Sequence, residues 1–299
     1  MEPRGSRHEK RALAPISQVR PSRPIGTGAP ARARVAVLIP ALDEEQALPL
    51  VLADLARERV DLVVVVDNGS LDRTAEVARA GGARVVVEER RGYGQACLAG
   101  LALLLGGEPH RRGTGARTAR DRASLPLGED DVVVFLDGDH SDHVEDLEAL
   151  LAPLLERSAE LVIGSRTLGR ADRGALLPQA RFGNALACWL MRVLFGARHT
   201  DLGPFRAVRV DALRHLSMAD RGFGWTIEMQ LKAHAAGLRV VEVPVRYRAR
   251  TGRSKITGTL RGTLGAGTKI LGWIGAWRCA TWLTRRRIPR YLRPGRSAH

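Results

Sequence analysis

The stretch "VVVFLDGDHSD", residues 132–142, decides the fold. Val132 to Leu136 are apolar without alternation, the pattern of a strand covered on both faces. The run ends on two aspartates, Asp137 and Asp139, with only Gly138 between them. The same pattern recurs on either side. "VAVLI" (35–39), "LVVVV" (62–66), "RVVVE" (84–88) and "LVIG" (161–164) are short β-branched runs. The segments between them, "EEQALPLVLADLARE", "DRTAEVARAGG", "GQACLAGLALLL" and "HVEDLEALLAPLLE", place Leu, Val and Ala at helical spacing. Repeated strand and helix units predict an α/β fold with a doubly wound, mostly parallel sheet. "GGEPHRRGTGARTARDRASLPLGED", 106–130, is polar, basic and aperiodic, which predicts a surface insertion.

In an open parallel sheet the ligand lies beyond the carboxyl ends of the strands, near the point where strand order reverses. Those ends read "PALDEE", "DNGSLDRT", "RRGYGQA", "DGDHSD" and "GSRTLGR". Two carboxylates flanking a glycine can turn towards one point, while Gly138 lets a ligand approach the backbone. Hard oxygen donors with little sulfur or imidazole nearby suit Mg2+ or Mn2+ bridging phosphates. The plain alternative is an Asp-rich turn capping the helix that starts near Val144, a cap read here as Asp142. His140 and His143 read as solvated loop residues. Asp67 closes the second strand, where a carboxylate can accept hydrogen bonds from a base or ribose, and Asp72 opens the next helix.

The chain has 299 residues, 44% of them apolar, enough for a substantial core. Cys97, Cys188 and Cys279 stand far apart and form no metal or disulfide pattern, which fits a reducing cytoplasm. The net charge of +15 collects at the ends. Residues 1–33 read as a disordered basic arm without the apolar stretch of a signal peptide. The segment 266–299 interleaves Trp273, Trp277 and Trp282 with arginines. Lys269, Arg278 and Arg285 cut it too short for a membrane span of about 20 apolar residues. It reads as an amphipathic helix lying on an anionic membrane surface, or alternatively as a helix packed on the domain with a solvated tail. Nucleic acid is disfavoured as a partner, because aromatics are scarce and no reading module is present.

"VLIPALDEE", "VVVVDNGSLDRT", "RRGYGQA", "FLDGDHSD", "GSR", "TDLGPFRAVR" and "RTGRSK" follow one another in an order and spacing that resembles the family 2 glycosyltransferases. Within that family the chain looks like the polyprenyl-phosphate branch that includes dolichol-phosphate mannose synthase, over residues 35 to about 265. The resemblance implies a GT-A fold over 34–265, a Rossmann-like sheet, a nucleotide-diphosphate sugar donor, a divalent cation and inversion at the anomeric carbon. It places Pro40, Leu42, Glu44, Asp67, Arg91 and Gly92 against the nucleotide, with Asp137, Gly138 and Asp139 at the metal and diphosphate. Ser141 stands where many relatives carry Gln as a further ligand, with water as its substitute. Arg166, Arg181, Arg250, Ser254 and Lys255 match positions for donor or acceptor phosphates. Arginine forks suit phosphate oxygens independently of any resemblance.

The expected reaction is metal-dependent hexosyl transfer to a polyprenyl phosphate at the inner face of the cell membrane. A phosphate acceptor is already a nucleophile at neutral pH, its second pKa lying near 6. A hydroxyl acceptor, the alternative, must lose a proton to a positioned carboxylate. Asp201 and Glu228 are the candidates, either as base or as ion-pair partners of Arg206 or Lys255. "FGNALACWLMRVLFG" reads as a helix whose apolar stripe is core or, alternatively, lines an acceptor groove. From other classes, a sugar-phosphate nucleotidyltransferase shares the carboxylate and metal logic, and a non-catalytic binding module is the weakest option.

Overall fold

β1 (Val35–Ala41) sends Val35, Val37 and Ile39 to one side of the sheet and Ala36 and Leu38 to the other, all of them buried. A strand that is apolar on both faces must be covered on both, and it is. The structure, a computed structural model, describes residues 32–55, 60–107 and 125–252, with Gly272 and Gly275. The chain divides into Met1–Arg32 and Ala33–His299, and every element named below belongs to the second unit. The arm at 1–31, most of the 106–130 stretch, nearly all of the segment 266–299, and Ser254 and Lys255 lie outside the described residues. Leu125 and Leu127, at the far end of the 106–130 stretch, are buried in the core.

Seven strands form one sheet in the order β3-β2-β1-β4-β6-β5-β7. β1 pairs in parallel with β2 (Leu62–Asp67) and with β4 (Val132–Phe135), and β2 pairs in parallel with β3 (Arg84–Val87). β6 (Arg206–Arg209) is antiparallel to both β4 and β5 (Leu161–Ala171), and β5 runs parallel to β7 (Val240–Tyr247). One reversed strand in seven leaves the sheet mostly parallel. β3 is an edge strand with Val87 exposed, not the fully covered run its composition predicts. β6 and β7 carry charged residues within short apolar stretches, which is why periodicity alone does not single them out.

On one face, α1 (Leu48–Asp54) and α4 (Leu147–Leu155) bury Leu48, Val51, Leu150, Leu151 and Leu154 against Val37, Ile39 and Val134. On the other, α3 (Tyr93–Leu104), α6 (Val210–Leu216) and α7 (Trp225–Ala235) cover Leu38, Val66 and Phe135. Trp225 lies tilted against Phe135, 5.8 Å between ring centroids. α2 (Thr74–Ala80) follows β2. α5 (Pro178–Phe195) packs Ala187, Cys188 and Met191 against Ile227 and Leu231 of α7. Strand order reverses beside β1, between the descent to β3 and the step to β4, so the loops after β1 and β4 border the crevice where a ligand is expected.

Candidate active site

The loops after β1 and β2 are sewn together by side chains. Asp67 accepts the Ser70 N–H at 2.9 Å, and Ser70 Oγ accepts the Asp43 N–H at 2.9 Å. Asp43 in turn accepts the Leu71 N–H, while Thr74 Oγ1 accepts the Glu44 N–H at 2.7 Å. Asp67 and Glu44 are buried; Pro40 and Leu42 are half-buried beside them. Asp72 accepts the Thr74 N–H at the start of α2. Asn68 accepts the Gly92 N–H at 2.8 Å, which draws the start of α3 to the same rim. Arg91 projects outward and donates to the Gly69 carbonyl.

Beyond β4 the two aspartates meet different partners. Asp137 Oδ1 accepts from the Tyr93 hydroxyl at 3.2 Å. Its carboxyl is pushed up to about 7, by burial first and by the Asp139 charge second, against the pull of Tyr93, Arg166 and Arg250. Asp139 Oδ1 accepts the backbone N–H and the hydroxyl of Ser141, and its Oδ2 lies 3.1 Å from Arg250 Nη2. The same guanidinium reaches Glu44 Oε1 at 3.2 Å, so Arg250 joins the loop after β1 to the loop after β4. Its Nε is buried without a hydrogen-bond partner. Gly138 is buried, and a Cβ there would lie 3.3 Å from Ile39 Cγ2.

Ser141 is fully buried with its hydroxyl spent on Asp139, so it orients that carboxylate instead of turning its oxygen to the cleft. Asp142 is not a helix cap. His143 precedes the short 3-10 turn at Val144–Asp146, and the Asp142 side chain, 2% exposed, has neither oxygen in hydrogen-bonding geometry with a donor. Burial first, then the charges of Asp137 and Asp139, push it well above the usual carboxylate range, against the pull of Arg166 and of the Asp137 backbone N–H. His140 is not a solvated loop residue either. It takes a left-handed backbone, φ 61°, and its Nε2 lies 2.7 Å from Asp54, which also holds Arg248.

Arg166, on β5, lies beside this cluster. Asp201 accepts its backbone N–H, Nε and Nη2 at 2.7 to 2.8 Å, and the guanidinium sits over the Tyr247 ring, 5.1 Å from the centroid. Burial pulls Arg166 down, but Asp201 outweighs it and holds the group above its ordinary value. Asp201 is 1% exposed with both oxygens engaged. Its ion-pair partner is therefore Arg166. Arg206, fully buried, donates instead to the carbonyls of Leu202, Gly203 and Thr226. Glu228 is likewise closed off: it accepts from Ala219 and Asp220 backbone N–H groups and pairs with Lys232. Arg181 is exposed on α5.

The profile of Glycosyl transferase family 2 matches residues 36–106. An uncharacterized glycosyltransferase of Mycobacterium tuberculosis is 38% identical over 232 residues, 77% of this chain and 93% of its own length. The chain is a family 2 glycosyltransferase. An undecaprenyl-phosphate mannosyltransferase of Micrococcus luteus is 32% identical to this glycosyltransferase over 260 residues, 82% of this chain and 96% of that one. Among solved structures, glucosyl-3-phosphoglycerate synthase of Mycobacterium tuberculosis, in complex with Mn2+, UDP and phosphoglyceric acid, superposes with a TM-score of 0.58. It shares 24% identity and covers 83% of this chain and 79% of its own. The shared architecture is the GT-A fold.

The donor set of the glycosyltransferase fits a hard divalent cation. Burial and the Asp139 charge raise the proton affinity of Asp137, and burial with the charges of Asp137 and Asp139 raises that of Asp142, a concentration of negative charge that a cation relieves. Among the described residues no three His, Cys, Asp or Glu side chains converge closely enough to hold an ion unaided. Two carboxylates, completed by diphosphate oxygens and water, are the arrangement Mg2+ and Mn2+ tolerate best. Tyr93 and Tyr247 border this candidate site although the sequence does not single them out, and Asp142 is legible there only as a cap. Tyr93 lay within the quoted "RRGYGQA", but its reach to Asp137 depends on a strand order that no local pattern encodes.

Proposed function

We propose that this glycosyltransferase moves a hexose from a nucleotide-diphosphate sugar to a polyprenyl phosphate at a membrane surface, with inversion. The loops bearing Glu44 and Asp67 form the nucleotide wall, and Asp137 and Asp139 hold Mg2+ or Mn2+. The cation, when bound, acts as a Lewis acid on the departing diphosphate. Arg250, already bridging the two loops, has one buried donor without a partner to offer a phosphate oxygen.

The observation that carries the acceptor assignment is that Asp201 and Glu228, the candidate bases, are both saturated by donors. A phosphate acceptor needs no base. Arg166, gripped by Asp201 and stacked on Tyr247, is a pre-oriented fork for such an acceptor. An apolar stripe supports a lipid: on α5, Phe182, Trp189 and Val193 are 71%, 57% and 59% exposed, with Arg181 and Arg192 among them. Among the described residues no helix is long and apolar enough to cross a membrane, so association would be through such a face. The Micrococcus luteus relative bears the name of this activity.

One observation favours a hydroxyl acceptor: the buried Asp142 carboxylate beside the cluster has no donor in full hydrogen-bonding geometry and a raised proton affinity, which suits a base. The test is to supply labelled nucleotide sugars with either a polyprenyl phosphate or a panel of polar hydroxyl acceptors. On the proposed reading label enters the organic phase as an acid-labile lipid with release of nucleoside diphosphate. Arg166→Gln then slows the reaction roughly 10 to 150 fold, and Asp142→Asn slows it less. A dead Asp142→Asn enzyme with Arg166→Gln nearly silent would establish the hydroxyl reading, and release of free diphosphate would mark nucleotidyl transfer.

A further inference from the structure

The start of α3 is held by a loop far along the chain, residues 219–222. Helix-initial N–H groups have no partner within their own helix, yet here Gly94 N–H donates to the Gly222 carbonyl and Gln95 N–H to the Arg221 carbonyl, both at 3.0 Å. The approach is so close that a Cβ on Gly94 would fall 2.1 Å from the Asp220 carbonyl oxygen, and one on Gly92 2.1 Å from that of Arg221. Backbone against backbone leaves nothing that can yield. The two glycines of "RGYG" are therefore the condition for this docking, and the residue between them is Tyr93.

The loop is itself fastened. Glu228, with no exposed surface, accepts the N–H groups of Ala219 and Asp220 at 2.9 and 2.8 Å, while Asp220 Oδ1 accepts those of Gly222 and Gly224 at 2.7 and 3.0 Å. A chain of contacts thus runs from the Glu228 carboxylate through 219–222 to the first turn of α3 and out along Tyr93, whose hydroxyl ends on Asp137 Oδ1 at 3.2 Å. Asn68 closes the frame by accepting the Gly92 N–H.

We propose that Tyr93 is a positioning residue that fixes the Asp137 carboxylate for cation binding, and that Glu228 acts through the 219–222 loop to seat it. This rests on the reading of Asp137 as a cation ligand. By occupying one oxygen, the phenol leaves the other in a defined direction, so the entropy of orienting the ligand is spent on folding. Glu228 serves the cation without approaching it.

The experiment measures binding of Mn2+ alone to the full chain by electron paramagnetic resonance, for wild type, Tyr93→Phe, Glu228→Gln, the double variant and Asp137→Asn. Tyr93→Phe removes one hydrogen bond to a carboxylate and should weaken Mn2+ binding about 10-fold, with the thermal midpoint of the metal-free protein nearly unchanged. Glu228→Gln should weaken binding in the same direction. Because both act along one path, the double variant should lose much less than the product of the two single losses. Mn2+ affinity in Tyr93→Phe equal to wild type would overturn the proposal, as would single losses that multiply in the double variant. Should Glu228→Gln fail to fold, Tyr93→Phe alone decides. Asp137→Asn separates the two readings. If it binds Mn2+ normally, the cation assignment itself fails; if it does not bind while Tyr93→Phe does so undiminished, only the positioning role fails.

Discussion

His199 shows how a single buried group couples this protein to pH. Its side chain is 6% exposed, and its Nδ1 has no hydrogen-bond partner. Glu242, 3.9 Å away, is already engaged by the N–H groups of Thr200 and Asp201. Burial first, then the charges of Arg206 and His234, push the imidazole from its ordinary 6.5 down to about 4. The folded value lies below the unfolded one, so the unfolded chain takes up this proton first. The resulting stability is present above about pH 6.5 and is lost as pH falls towards 4. With one pH unit worth about 1.4 kcal/mol, the loss is on the order of 3 kcal/mol. His199→Gln should flatten urea midpoints measured between pH 7 and pH 4.5. Parallel curves for the two proteins would assign the acid sensitivity to other groups.

At the scale of elements, α5 carries two opposed faces. Ala187, Cys188 and Met191 are buried against α7, whereas Phe182, Trp189 and Val193 face outward. A helix that buries only one stripe has no folding reason to keep Trp and Phe on the other. Replacing both Phe182 and Trp189 with Ser should leave the thermal midpoint within a degree or two. It should also weaken co-sedimentation with phosphatidylglycerol vesicles at least 10-fold, since burying each such side chain contributes about 1.5 to 3 kcal/mol. Wild-type binding should fall with added salt, because arginines on this helix would meet anionic headgroups through a screened field. Undiminished sedimentation of the double variant would remove α5 as the membrane contact. Apolar residues recur at helical spacing in the sequence, so the helix was legible there, but which apolar stripe met the core depended on where α7 lay.

For the whole molecule, the candidate site draws on both halves of the sheet. Glu44 and Asp67 come from the β1 to β3 half, Arg166 and Arg250 from the half built on β5 and β7, and the two aspartates from β4 between them. A ligand bridging these halves stabilises the fold by mass action, about 2.7 kcal/mol at a concentration 100 times its Kd. For a domain of this size that corresponds to a rise in Tm of roughly 5 to 10 °C. A panel of nucleoside diphosphates should raise Tm with Mn2+ present and lose the effect in excess EDTA. An unchanged Tm across the panel would argue against the donor site proposed above.

The class of fold was legible in the local pattern, because runs that are apolar on both faces call for a sheet covered on both sides. That pattern also determined where to look for chemistry, because glycine and carboxylate at strand ends are local signals. What those groups meet depends on contacts between distant segments. Asp201 and Glu228 are carboxylates of the right type to accept a proton, yet each is closed off by donors brought from 35 and 9 residues away. Asp142 is a residue type suited to a cap, but the turn it would cap is opened by His143, and its buried oxygens have no donor in full hydrogen-bonding geometry. Hydrogen bonds between residues distant in sequence are set by strand order, and strand order follows from how whole faces pack, which no stretch of ten residues can specify.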